Sequence, residues 1–361
     1  MEMSTAYDLI VIGGGPAGTA GAIGAARRGA HVLLLEKGRY PRQKVCGEFV
    51  SPESLGLLEQ LLCEENVLIL KNAIRISAAR IFVDGRMLST VVDPPAASIS
   101  RYDLDNALWN SAVKAGVKAK QDLAVQSVVH EENGFRVKTP HAVFQTQSII
   151  NASGRWSNLN RSSASSDEKW IGLKGHFVEC EPAPSVDLYF FNGGYCGVQP
   201  LASGEINACA MVKAEVATTL PQVLACHPEL LARSREWQLM GASVSTSPLI
   251  FREPEAQRDG VLMAGDAAGF VDPFVGDGIS LALRSGAMAA ACLKQFFDGK
   301  QTLAQASVLY IERYRRELYP VFRNSSGIRR LLGLPPSVRK SVMFALQKTP
   351  AISNYLVRKT R

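Results

Sequence analysis

The chain has 361 residues, 47% hydrophobic and 20% charged, with a net charge of +7. That composition is ordinary for a globular protein, long enough for two lobes and a large core, and the mild positive charge indicates only a weak general attraction to anions. Uninterrupted apolar runs of about 18 residues are missing, which argues against a spanning helix, and the seven cysteines are odd in number and form no C-x-x-C, which argues against a disulfide framework or a zinc site.

The first fifty residues set the pattern. Tyr7–Ile12 is a short apolar run suited to a strand buried on both faces. Gly13-Gly14-Gly15-Pro16-Ala17-Gly18 follows and fits G-x-G-x-x-G. A helix rich in Ala and Gly is predicted from about Ala17 to Arg28, then a strand His31–Leu35 closed by Glu36. In such a unit Gly13 lets the chain turn off the strand, Gly15 lets backbone approach a pyrophosphate, and Gly18 lets helix and strand pack. The helix N-terminus offers free N–H groups to that anion. Glu36 is placed to accept from ribose hydroxyls and to repel a 2′-phosphate, which predicts an unphosphorylated adenosine, as in FAD or NAD. The strand starts by residue 7, which leaves no room for a signal peptide before it; with the cysteine usage this predicts a cytoplasmic protein, at most peripheral to a membrane.

Lys37–Pro52 reads as a basic loop passing through Val45-Cys46-Gly47-Glu48. Cys46 there is either a small buried thiol or a group beside a reactive centre. Ser54–Asn66 reads as helix. Residues 78–83 and 86–92 read as a hairpin on Asp84-Gly85, ended by a loop at Asp93-Pro94-Pro95. A helix opens near Ser100, capped by Ser100 or Asp103, and runs to about Ala115 with Leu104, Leu108 and Ala112 on one face. Arg101 at its start is either exposed or a cofactor ligand. Val117–Thr139 holds short strands around Asn133-Gly134. Ser148–Arg155 is a buried strand entering the small-residue turn Ala152-Ser153-Gly154, and 155–167 reads as loop.

Strands are predicted at 170–179, 187–191, 195–200 and 206–212, with aromatic residues along them. Such a sheet suits the wall of an apolar pocket, and Tyr195 is the aromatic expected nearest to it. Val261–Gly269 is another buried strand ending in a glycine turn and carrying Asp266; the segment continues through Pro273, Gly276 and Gly278 into a helix to about Phe297. Two glycine-mouthed helix ends suit one long ligand, its diphosphate at the first and a distant polar group at the second. The C-terminal part from Gln305 reads as helices broken at Pro320, Pro335-Pro336 and Pro350. From Asn324 onward there are eight Lys and Arg and no Asp or Glu. This block, including Arg329, Arg330, Arg339 and Lys340, is either a solvated face or a surface for anionic lipid or an acidic carrier protein. The five histidines are scattered without ligand spacing, so no metal site is predicted, and no reader module for nucleic acid is present.

Together these residues resemble the FAD-dependent oxidoreductases that include geranylgeranyl reductases, flavin-dependent halogenases and p-hydroxybenzoate-hydroxylase-type monooxygenases. The resemblance covers roughly residues 5–320 and rests on Gly13–Gly18 with Glu36, the Arg101-x-Asp103 helix start, the Ala152-Ser153-Gly154 turn, and Gly265-Asp266 through Gly278. It implies an α/β fold: a Rossmann-like FAD-binding domain of glutathione-reductase type (1–75, 98–165, 255–300), an inserted antiparallel substrate domain (76–97, 166–254), and a basic helical segment (301–361). It implies FAD contacts from Gly13, Gly15, Pro16, Ala17, Gly18, Glu36, Lys37, Arg101 and Gly265. Asp266 would hold the ribityl chain, Pro273 and Gly276 would lie by the flavin ring, and the amides of Gly278 and Ile279 would face its N1–O2 edge.

Val45-Cys46-Gly47-Glu48 is similar to the Cys-Gly-Gly segment of geranylgeranyl reductases, with Glu48 in place of the second glycine, so the catalytic candidates are Cys46, Glu48 and Tyr195. Tyr195–Pro200 stands where those families carry an aromatic-rich strand ending in Pro, but the halogenase W-x-W-x-I-P is absent. The expected activity is hydride transfer through the flavin to or from an apolar small molecule such as an isoprenoid, lipid or polyketide. The alternative is a monooxygenase working through a flavin hydroperoxide. With no second dinucleotide motif, NAD(P)H would dock transiently as electron donor or another protein would supply the electrons.

Overall fold

The computed structural model describes residues 7–155, 159, 169–201, 204–246, 249, 251 and 253–332, with side chains to Ser325. The Ser/Asn-rich loop at 155–167 and the basic block beyond Leu332 therefore lie almost wholly outside the described residues. The chain opens with β1 (Tyr7–Ile12), α1 (Pro16–Ala26) and β2 (Val32–Leu35), then β3 (Phe49–Val50), α2 (Pro52–Leu61) and α3 (Leu68–Lys71). The hairpin β4 (Ile74–Val83) and β5 (Arg86–Ser98) leads to α4 (Arg101–Lys114), then β6 (Lys118–Lys120), β7 (Ser127–Glu131), β8 (Gly134–Lys138) and β9 (Val143–Asn151). Next come β10 (Trp170–Val178), β11 (Ser185–Phe191), β12 (Gly194–Pro200), β13 (Glu205–Lys213), α5 (Leu220–Ala225), α6 (Pro228–Arg233) and β14 (Gln238–Thr246). The chain returns through β15 (Gln257–Arg258), β16 (Val261–Met263), α7 (Gly278–Cys292), α8 (Lys294–Phe297), α9 (Leu303–Glu317) and α10 (Tyr319–Leu332).

Two sheets result. The first runs β15-β16-β9-β1-β2-β6, parallel except for the edge strand β15, with the β7–β8 hairpin attached to β9. Its central strand shows why Leu9–Ile12 is apolar on both faces. Leu9 and Val11 pack with α1, α4 and α7, whereas Ile10 and Ile12 pack with Phe135, Val137 and Phe144 on the other side. Each such fully buried aliphatic side chain stabilises the fold by roughly 1.5–3 kcal/mol. The second sheet runs β14-β10-β13-β12-β11-β4-β5-β3 and is antiparallel except where β11 joins β4. The α/β architecture of a parallel nucleotide-type sheet plus a largely antiparallel second sheet is the one expected.

Three details differ from expectation. The hairpin does not end at Asp93-Pro94-Pro95. β5 continues to Ser98, because β4 slips register between Ile76, opposite Ala96, and Ala78, opposite Val91. The prolines fall in that bulge, where no ladder hydrogen bond is lost. The short helices α5 and α6 and the edge strand β14 were not foreseen; β14 is mostly exposed and lacks the alternating apolar pattern that marks a half-buried strand. The predicted break at Pro320 holds, since α9 stops at Glu317 and α10 starts at Tyr319. Among the described residues, no helix is long and apolar enough to cross a membrane.

Candidate functional site

The first glycine mouth is built by contact at the atomic limit. Gly13 has φ +103, and a Cβ there would lie 2.3 Å from Ala152 O. A Cβ on Gly18 would lie 1.7 Å from Gly13 O, so α1 can seat on the turn only with hydrogen at that position. Gly15 differs: its nearest neighbours would be Lys44 Nζ at 3.7 Å and Arg101 Nη2 at 3.9 Å. α1 begins with Pro16 after an N-cap glycine that offers no side-chain cap, which leaves its first amides for an anion.

Glu36 is 4% exposed and doubly engaged. Its Oε2 accepts from Gly14 N at 2.7 Å, and its Oε1 accepts from Gly38 N at 3.0 Å and Arg42 Nη2 at 2.7 Å. Burial works to raise its pKa, but Lys44, Arg42 and the two amides outweigh it and hold the carboxyl below its usual value. The guanidinium of Arg42 on Glu36 also offsets the charge that alone would repel a 2′-phosphate, so Glu36 is a weaker discriminator than its type suggests. Lys37 lies exposed at the cavity rim.

Arg101 is not an exposed helix-start arginine. Ser100 caps α4 by accepting from Asp103 N, and Arg101 turns inward to bind Asp105 through Nε and Nη2, both at 2.8 Å. Lys44 Nζ reaches the same carboxylate at 3.0 Å. Asp105 is fully buried; burial raises its pKa, while Arg101 and Lys44 lower it further, so it stays ionised. Two cations thus share one anion beside Gly15, leaving a net positive charge where a diphosphate would lie. The sequence reading missed Lys44 and Asp105. The i,i+4 spacing of Arg101 and Asp105 was the available signal for the pair.

The second mouth follows β16. Gly265 has φ +59, and its N–H donates to Ser285 Oγ at 2.9 Å. Asp266 stands on the next turn with Arg155 Nε 3.5 Å away. Pro273 opens a short turn ending at Gly276 (φ +80), where a Cβ would press on the Phe49 ring at 2.9 Å. Gly278 starts α7; its N-cap Asp277 makes no capping hydrogen bond, and a Cβ on Gly278 would meet nothing within 4 Å. α7 crosses α1 so closely that a Cβ on Gly286 would lie 1.9 Å from Ala17 O.

Both mouths open into one cavity of about 920 Å³. Its wall includes Gly13, Gly15, Pro16, Ala17, Glu36, Lys37, Arg101, Gly265, Asp266, Pro273, Gly276, Gly278 and Ile279, and also Cys46, Glu48 and Tyr195. Gly18 stands behind the turn rather than in the wall. Beyond Cys46 the cavity is lined by apolar residues of the second sheet, among them Ala79, Ile81, Val92, Leu188, Phe190 and Met211. Tyr195 is 6% exposed, with ring centroids 5.3 Å from Phe190 and 6.0 Å from Phe274. Burial, with Asp272 nearby, raises its hydroxyl pKa far above normal, so Tyr195 serves as a neutral group.

Glu48 is a different kind of residue from its neighbour Cys46. It is fully buried at φ +61, a left-handed backbone that costs a non-glycine residue on the order of 1–3 kcal/mol. Its carboxylate accepts from Lys174 Nζ at 2.5 Å and from Arg101 N at 2.6 Å, and it meets His176 Nε2 at 2.9 Å. Burial raises its pKa, but His176 and Lys174 outweigh that and keep it ionised. A carboxylate so engaged is poorly suited to give up a proton.

The residues fit a flavin dinucleotide. The open face of Gly15 with two cations behind it, the uncapped start of α7, and a cavity near the top of the roughly 300–1,000 Å³ range of ligand pockets all accommodate one. The profile of the family described as glucose inhibited division protein A matches residues 8–165. The chain is 28% identical over 357 residues to a menaquinone reductase of Mycobacterium tuberculosis, covering 88% of this chain and 82% of that one. It is 25% identical over 345 residues to a digeranylgeranylglycerophospholipid reductase of Thermoplasma volcanium, covering 86% and 85%. In fold it is similar to a flavin-dependent brominase (20% identity, 99% and 93% covered, TM-score 0.81). It is similar also to a geranylgeranyl bacteriochlorophyll reductase-like protein of Thermoplasma acidophilum (20% identity, 98% and 95% covered, TM-score 0.80).

Proposed function

We propose that this chain, a FAD-dependent oxidoreductase by sequence and fold, reduces an apolar lipid of the isoprenoid-bearing class, such as a quinone or a geranylgeranyl lipid. One observation carries the reading: a single cavity runs from two anion-ready glycine mouths to an apolar wall on the second sheet. The relatives named for menaquinone and for digeranylgeranylglycerophospholipid support that class.

Bound there, FAD supplies two-electron hydride chemistry. The α1 amides, Lys44 and Arg101 would hold its diphosphate, Glu36 its ribose, Asp266 its ribityl chain, and the amides of Gly278 and Ile279 its pyrimidine edge. The apolar side chains of β4, β11 and β13 bind the substrate and exclude water. Tyr195, held neutral, orients the substrate without adding charge. Cys46 holds the proton that completes reduction of a double bond. NAD(P)H docking transiently is the proposed electron source, and the basic segment from Arg329 to Arg361 is the proposed contact with an anionic membrane surface.

The test is anaerobic. Dithionite-reduced enzyme is mixed with menaquinone or with a geranylgeranyl phospholipid, and the product is read by mass. Gain of two hydrogens is expected. A strict need for O₂, with ¹⁸O from ¹⁸O₂ in the product, would replace this reading by the monooxygenase alternative.

A further inference from the structure

The segment Gln43–Phe49 joins the nucleotide half to the second sheet, and it does so through named contacts. Gln43 Oε1 accepts from Lys174 Nζ at 2.8 Å. Val45 packs over Gly172 of β10, where a Cβ would meet its Cγ1 at 2.8 Å. Cys46 O accepts from Asn207 Nδ2 at 3.0 Å. Phe49 packs over Gly276 at the second glycine mouth. Glu48 ties the centre: it binds Lys174 and His176 of β10 and the Arg101 amide at the start of α4.

The sheet register makes this arrangement coherent. Lys174 and His176 are two apart on β10 and so share a face. They pair across the ladder with Cys209 and Asn207 of β13. All four therefore meet the Cys46–Glu48 loop from one side, with the Arg101 guanidinium beside the Cys46 thiol.

We propose that Glu48, Lys174 and His176 are positioning residues: a buried Glu48–Lys174 ion pair, with His176 bonded to the same carboxylate, that bolts the Cys46 loop to the second sheet and so fixes the thiol against the cavity wall. Stability alone does not account for the cluster. Buried ion pairs are commonly no more stabilising than apolar replacements of similar volume, and glycine at position 48 would relieve the left-handed backbone. What the strained carboxylate adds is a fixed geometry in three directions. This deepens the function proposed above and rests on it only for what the thiol does.

The experiment compares iodoacetamide alkylation of Cys46 with that of exposed Cys180 in the same FAD-bound sample, by peptide mass spectrometry. The variant is Glu48→Gly with Lys174→Met, which removes the charge pair without leaving an unpaired ammonium. Should it fail to fold, His176→Gln removes one arm and carries the same readout. The Cys46-to-Cys180 rate ratio is expected to change about tenfold, with the flavin spectrum retained and Glu48→Asp closer to wild type. A ratio within about twofold of wild type in a folded variant, even with a lowered Tm, overturns the proposal. A changed ratio in an enzyme whose wild type reduces no lipid sinks the functional reading and leaves the positioning role standing.

Discussion

At the nucleotide end of the cavity, a Cβ on Gly18 would sit 1.7 Å from Gly13 O; on the second sheet, a Cβ on Gly197 would find its nearest neighbour, Leu188 Cδ2, at 3.3 Å. The first position is filled by backbone, which cannot move without taking β1 and α1 with it. The second borders a cavity and a flexible side chain. One end of the site is thus shaped by where side chains must be absent, and tolerates almost nothing. The other is shaped by which side chains are present, and can change its contents without changing the fold.

Four substitutions sharpen that contrast. The largest effect is expected from Gly18→Ala. Forcing α1 off the turn should cost about 3–5 kcal/mol, with loss of flavin from the purified protein, read by visible absorbance and thermal unfolding. A flavin-replete, normally stable Gly18→Ala protein would refute the packing account of the turn. Next is Gly197→Phe, which projects a ring into the apolar half. Flavin content and Tm should stay near wild type, while kcat/KM for the lipid falls about 100-fold, equivalent to about 2.7 kcal/mol of transition-state stabilisation. If flavin were lost instead, the two halves would not be separable.

The smallest effect is expected from replacing either Lys44 or Arg101 with Met. Each removes one charge-assisted contact worth roughly 1.5–3 kcal/mol. Because the two share Asp105, the survivor stays paired, and FAD Kd measured by fluorescence quenching should rise about tenfold rather than collapse. An affinity unchanged from wild type in both variants would place the diphosphate elsewhere.

How much was legible follows the same division. Gly13, Gly18 and Gly265 were readable because close packing or a left-handed backbone there leaves one residue type that fits, and the spacing of strand and helix around them is local. The buried run Leu9–Ile12 was readable because a strand covered on both faces is apolar throughout. The bulge that carries β5 past Pro95 was not, because its pairing partner sets the register. Nor was the exposed edge strand β14, which carries no alternating pattern.

By itself, then, the sequence determined the strand–turn–helix frame of the first sheet and the apolar character of the second, since each rests on short-range sterics or on periodic burial. Tertiary structure alone decided the electrostatics. Lys44 reaches across to the Asp105 carboxylate on α4, and Glu48 is locked between residues 126 and 128 positions away in sequence. The physical reason is that charge acts through space, so its meaning waits on which distant residues the fold brings within a few ångströms.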